Sequence, residues 1–192
     1  MKPDYADAYD NRGNAYNHLG NYTQAIKDYD MAIELTPDYA ETYNNRGNAY
    51  RYLGNYTQAI KDYDMAIELK PDFAIAYNNR GIVYYNSGNY TQAIKDFDQA
   101  IELKPDYAKA FYNRGNAYKD LGNYTQAITD YNTYIYLCVI NKKIIEYAYF
   151  YFTKIKSVIS SNNPSFFVSF SMCKNLPFCH FLIDRFLGLS DM

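Results

Sequence analysis

Asn45-Arg46-Gly47-Asn48-Ala49-Tyr50-Arg51-Tyr52-Leu53-Gly54-Asn55-Tyr56-Thr57-Gln58-Ala59-Ile60 is one of four near-copies of the same phrase, set 34 residues apart along the chain. Extended outward, the copies are residues 6–39, 40–73, 74–107 and 108–141, and they align without a gap. The first two agree at 27 of 34 positions. A fixed period of this length marks a stacked helical array, in which one unit cannot bury its own apolar face and each leans on its neighbours. Such an array predicts an all-α chain that holds other molecules and does no chemistry.

Each copy reads as two helices. Pro3-Asp4, Pro37-Asp38, Pro71-Asp72 and Pro105-Asp106 precede the first helix; Pro cannot continue the preceding helix, and the Asp is placed to cap the new one. Asp38 with Glu41 approximates a capping box. Gly20, Gly54, Gly88 and Gly122 suit a left-handed C-terminal cap. Thr23, Thr57, Thr91 and Thr125 are expected to cap the second helix, whose apolar residues recur at helical spacing (Ala25, Ile26, Tyr29, Ala32 and Ile33 in copy one). Gly13, Gly47, Gly81 and Gly115 fall inside the first helix, where Gly costs about 1 kcal/mol relative to Ala. Their repetition at one phase predicts a close helix–helix contact, with Ala25, Ala32 and their counterparts on its other side.

Formal charge is near neutral over 192 residues, so no global field argues for nucleic acid. Its distribution is uneven: residues 1–137 hold 13 Lys and Arg against 18 Asp and Glu, while residues 138–192 hold 6 against 3. There are 25 tyrosines and no tryptophan, and most of the tyrosines sit at fixed phases of the repeat. Cys138, Cys173 and Cys179 have no zinc spacing, and an odd count argues against a disulfide framework, so reduced thiols are expected. Met1-Lys2-Pro3-Asp4-Tyr5 carries no apolar leader core, which points to a cytoplasmic setting. His18 and His180 stand apart from other ligands, leaving no metal site to propose. Each Asn-Tyr-Thr, as at Asn21-Tyr22-Thr23, is formally a glycosylation sequon but reads as an inter-helix turn. A phosphate loop, a nucleophile elbow and an inward carboxylate pair are all missing. The reading is non-enzymatic, with no cofactor.

Tyr9, Tyr43, Tyr77 and Phe111, followed by Gly13, Tyr16, Ala25, Tyr29, Ala32 and Pro37 and their counterparts, resemble the tetratricopeptide repeat over about 135 residues. That resemblance implies a right-handed α-α superhelix of four helix-turn-helix repeats, whose first helices line a concave groove that binds peptides or proteins. One departure is systematic. Arg12, Arg46, Arg80 and Arg114 stand where the family usually has Leu, with Asp28, Asp62, Asp96 and Asp130 as candidate partners in structural salt bridges.

Carried onto this chain, the groove takes Asp7, Asp10, Asn14, Asn17 and His18 from copy one, and Glu41, Asn44, Asn48, Arg51 and Tyr52 from copy two. Copy three gives Ile75, Asn78, Ile82, Tyr85 and Asn86; copy four gives Lys109, Tyr112, Asn116, Lys119 and Asp120. The wall runs from acidic through aromatic and apolar to basic. Asn11, Asn45, Asn79 and Asn113 recur in all four copies, although Asn is a poor residue for a helix interior. Their amides resemble the asparagine ladder in the repeats of the nucleocytoplasmic sugar transferase that modifies Ser and Thr. Stacked helices lie roughly 8–10 Å apart and an extended chain advances roughly 3.3 Å per residue, so such a row would clamp a threaded backbone about once every three residues. The alternative is that the amides bond between neighbouring repeats. Chaperone-binding members grip a C-terminal carboxylate with cations. The matching phases here carry Asp10, Asn14, Asn45, Ile75 and Asn79, or, one copy along, Asn44, Asn48, Asn79, Lys109 and Asn113, which argues against that use.

The fourth copy decays: Tyr134 takes the small-residue phase, where it should crowd the helix pair, and Val139 replaces the proline. Residues 142–192 are expected to form a C-terminal capping helix, near 144–152, and an irregular tail with a short amphipathic stretch near 181–187. The run 157–173 is interrupted by Asn162-Asn163-Pro164 and does not read as a membrane span. The sequence therefore predicts an interaction module for an unidentified protein or peptide, with no nucleic-acid partner and with an interfacial membrane contact of the tail only as a minor alternative. The alternatives are an architectural array that self-associates through uncapped ends, and a regulatory fragment of a larger enzyme.

Overall fold

The computed structural model describes residues 4–140, and nearly all of them belong to one unit, Met1–Val139. The helices are α1 Asp4–His18, α2 Tyr22–Leu35, α3 Ala40–Tyr52, α4 Tyr56–Leu69, α5 Ala74–Asn86, α6 Tyr90–Leu103 and α7 Ala108–Asp120. An eighth, α8, begins at residue 124 and is helical through residue 140. No strand occurs among the described residues. The expected capping helix, the tail, Cys173, Cys179 and His180 lie outside them.

Odd and even helices pair as antiparallel hairpins, and each even helix also packs on the next odd one. The turn within each hairpin is set by backbone chemistry. Gly20 has φ 76°, and the amide of Asn21 reaches the Tyr16 carbonyl at 2.9 Å, a Schellman closure that a Cβ would strain. The expected threonine caps are corrected here. Asn21 is the N-cap of α2, its side chain accepting from the Gln24 amide at 3.2 Å, and Asn55, Asn89 and Asn123 repeat the arrangement. The helix starts immediately after the glycine turn, so Thr23 already lies within its first turn. The Pro-Asp caps fail for the opposite reason. Asp38 sits in the turn and Tyr39 holds the cap position, as Phe73 and Tyr107 do, with no side-chain cap bond. Glu41 accordingly makes no capping box and bonds Lys70 Nζ at 2.8 Å.

The helical glycines do mark close contacts, but against aromatic rings and not against alanines. A Cβ on Gly13 would lie 2.7 Å from Tyr29 Cε1, and Gly47, Gly81 and Gly115 face Tyr63, Phe97 and Tyr131 in the same way. Each ring is driven by burial: Tyr29, Tyr63 and Phe97 are fully enclosed, and burial of such a side chain is worth about 1.5–3 kcal/mol. The alanines serve the next joint. Ala25 packs with Tyr29 against Ala49 of the following hairpin, Ala59 with Tyr63 against Val83, and Ala93 with Phe97 against Ala117. Tyr134, at the phase that carries alanine in the other copies, is tilted against Tyr112 with ring centroids 5.2 Å apart.

Candidate functional site

A surface for a ligand follows from how the helices crowd. The odd helices α1, α3, α5 and α7 approach one another in succession more closely than the even helices do. The side on which successive helices lie nearer is the inside of the curve, so the odd helices form its wall.

The arginine departure from the family pattern lies in the seams between helices. Arg80 Nε and Nη2 donate to both carboxylate oxygens of Asp96 at 2.8 Å, while Nη1 reaches Asp64 of the preceding hairpin at 2.6 Å. Arg46 joins Asp62 and Asp30, and Arg114 joins Asp130 and Asp98, in the same way. Arg12 pairs with Asp28 alone among the described residues, and its side chain remains 57% exposed against 15–19% for the other three. The first carboxylates were legible as partners from the repeat; Asp30, Asp64 and Asp98 were not singled out, although they recur two residues after Asp28, Asp62 and Asp96. These groups are structural.

On the wall, the amides occupy two rows. Asn79 Nδ2 donates to Asn44 Oδ1 and Asn113 Nδ2 to Asn78 Oδ1, both at 2.9 Å, so each ties one hairpin to the one before and keeps its own Oδ1 clear of these bonds. Asn45 is half-buried and Asn11 exposed. The second row faces the buried rings. Asn14, Asn48 and Asn116 accept from the hydroxyls of Tyr29, Tyr63 and Tyr131 at 2.8, 2.9 and 2.7 Å. Asn14 Nδ2 also donates to Asp10, leaving the Nδ2 groups of Asn48 and Asn116 outside the hydrogen bonds formed among the described residues. Burial pushes the Tyr63 phenol well above its ordinary range, which keeps it a neutral donor.

The remaining candidates are aromatic or charged. Tyr52 stacks on Tyr22 at 4.9 Å and carries the Arg51 guanidinium 4.3 Å from its ring centre. Tyr85 donates to Asp120 at 2.5 Å across consecutive hairpins. That bond holds Asp120 below the usual carboxylate range and, with burial, pushes the Tyr85 phenol up to about 12. Tyr112 sits between Tyr131 and Tyr134, and Lys109 is exposed at the far end. A cavity of about 190 Å³ opens between α5, α6 and α7, lined by Ile82, Tyr85, Asn86, Phe97, Asn113 and Asn116. No cluster of metal-ligating side chains and no helix long and apolar enough to cross a membrane occurs among the described residues.

Comparison with known proteins agrees with this architecture. A family profile described as TPR repeat matches residues 13–50, 47–88 and 83–122, and one described as tetratricopeptide repeat matches residues 108–138. No curated protein matches the chain. Among solved structures, the crystal structure of MamA is similar at 25% identity and TM-score 0.68, covering 74% of this chain and 83% of that one. The first TPR of Spaghetti (RPAP3), solved with the HSP90 peptide SRMEEVD, is 25% identical with TM-score 0.61, over 64% of this chain and 97% of its own. The Arabidopsis OM64 TPR domain is 26% identical with TM-score 0.60, over 62% and 98%.

Proposed function

The chain belongs to the tetratricopeptide repeat family, and on that premise we propose that it is a non-catalytic binding module which threads an extended peptide along its odd-helix wall. The observation that carries the proposal is the division of labour within the amides. Asn79 and Asn113 use a donor to join hairpins and retain an acceptor, while Asn48 and Asn116 use an acceptor on a tyrosine and retain a donor. A peptide backbone offers one donor and one acceptor per residue, and a wall that alternates both serves any sequence. The groove set is Asn11, Asn45, Asn79 and Asn113, with Asn14, Asn48, Asn116, Tyr52, Tyr85, Tyr112 and Lys109. Its cation phases hold only Lys109, which favours an internal segment over a terminal carboxylate. A relative of the same fold solved with a peptide supports a peptide partner.

The test uses Asn48→Asp with Asn116→Asp in the full chain. Each carboxylate still accepts from its tyrosine, so the fold is retained, but the donors are gone. A peptide recovered by pull-down on the wild type should bind the variant about tenfold more weakly per lost hydrogen bond. Unchanged affinity rejects the amide wall. The self-associating alternative is disfavoured by Asn132, which stands two residues after Asp130 where the other hairpins have Asp30, Asp64 and Asp98. An incoming Arg12 would find no second carboxylate there. Sedimentation that stays monomeric as concentration rises is the expected result.

A further inference from the structure

Copy three breaks a pairing that the other copies keep. Where they have a tyrosine hydroxyl on an asparagine, it has Phe97 without a hydroxyl and Ile82 without an amide. The two changes are chemically coupled, because an asparagine over Phe97 would lose its partner and a tyrosine under Ile82 would bury an unsatisfied hydroxyl. Their joint result is an apolar patch at one place on an otherwise amide-lined wall, Ile82 packed over the enclosed Phe97 at the base of the cavity of about 190 Å³ described above. Asn86, Asn113 and Asn116 make the rest of the lining polar, and the volume has room for a single aliphatic side chain laid against Ile82. Its rim presents Asn113 Oδ1 and Asn116 Nδ2, neither engaged in the hydrogen bonds those side chains form among the described residues. One acceptor and one donor beside an apolar patch match one residue of an extended peptide: its N–H, its C=O and its side chain.

We propose that the Ile82–Phe97 cavity is the register-setting subsite of the groove and takes the aliphatic side chain (Leu, Ile, Val or Met) of the bound peptide, whose backbone is held at that residue by Asn113 and Asn116. The subsite rests on the groove reading and adds a specificity to it: the amides hold any backbone, and copy three decides which residue stops there. Tyr85, bonded to Asp120 and tilted against Tyr90 at 5.4 Å, bounds the cavity on one side and keeps it open as a defined pocket.

The experiment compares the wild-type chain with Ile82→Asn/Phe97→Tyr, a variant that restores the hydrogen-bonded pair the other hairpins already fold around. Both are immobilised and challenged with capped heptapeptide pools whose central residue is Leu, Ala or Asp, the other positions being randomised. On the wild type the Leu pool should be retained at least roughly tenfold more than the Ala pool, and on the variant this preference should vanish while Ala-pool retention persists. A Leu preference of equal size on both proteins overturns the assignment to this cavity. Equal retention of the Leu and Ala pools on the wild type overturns the anchor and leaves the groove reading standing. Retention of no pool by the wild type overturns both.

Discussion

The seams between hairpins and the wall facing the groove are built from the same four copies, yet they obey opposite rules. Along the seams Arg46, Arg80 and Arg114 have the same two partners in the same geometry, and Arg12 keeps the bidentate one, with no second carboxylate among the described residues. Along the wall, the phase of Asn14 and Asn48 becomes Ile82, and the phase of Arg51 becomes Tyr85 and then Lys119. The difference separates what joins the units from what the units present. A joint must be identical wherever it is used, because each seam buries a charge that only a complete partner set stabilises. A reading surface carries information only where it departs from its own pattern.

Breaking the seam should produce the largest effect. Arg80→Ala leaves Asp96, only 3% exposed, without its guanidinium; the expected loss is about 3–5 kcal/mol, read by urea unfolding followed by circular dichroism. A loss below the noise would mean the buried carboxylate is not held in this way. Next comes Gly81→Ala, whose Cβ would meet Phe97 Cε1 at 2.6 Å. Overpacking of about 1–3 kcal/mol, set against the roughly 1 kcal/mol that alanine gains in a helix, should leave a net destabilisation of up to about 2 kcal/mol. An increase in melting temperature would contradict the close ring contact.

Smaller still is Asp64→Asn, which removes only the link between hairpins. Asp64 is half-exposed, and such a pair contributes about 0–1 kcal/mol, so the contrast with Arg80→Ala measures how much of the seam lies within a hairpin and how much between. The smallest effect belongs to the wall. Because Asp120 is held below its ordinary value by Tyr85, its contribution is complete above the reference near pH 3.9 and is lost as pH falls through the lower folded value. Carboxyl NMR should show Asp120 titrating below that reference, and Tyr85→Phe should move it up. An unmoved titration would remove the cross-hairpin bond from consideration.

The helix count, the hairpin pairing and the left-handed glycines were legible because each depends on residues close in sequence. Three details were not. Asp38 and Thr23 are good caps by type, but the cap position is fixed by where the preceding turn releases the chain, and Tyr39 and Asn21 stand there. Gly13 advertised a close contact without naming its partner, because Ala25 and Tyr29 lie on the same helix only one turn apart and the hairpin's rotation decides between them. The double role of Arg46 requires knowing that Asp30 of one hairpin and Asp62 of the next converge on one guanidinium, which a period reveals only after the stacking geometry is known. On the wall, Ile82 was read as a groove residue but Phe97 was not, since a buried ring on a second helix has no visible tie to the groove until its missing hydroxyl is set beside the missing amide.

The two arms of each seam arginine differ in how far water and ions reach them. The bidentate arm grips a carboxylate shut away from solvent, whereas the single Nη1 arm crosses to Asp30, Asp64 or Asp98, all about half-exposed. Dissolved salt screens exposed pairs far more than enclosed ones, so brine should loosen the couplings between hairpins while each hairpin stays locked. The array would then behave as a spring whose stiffness is set by ionic strength, and small-angle scattering of residues 1–141 across a salt series, showing a change in end-to-end spread at constant helicity, is where that elasticity would be seen.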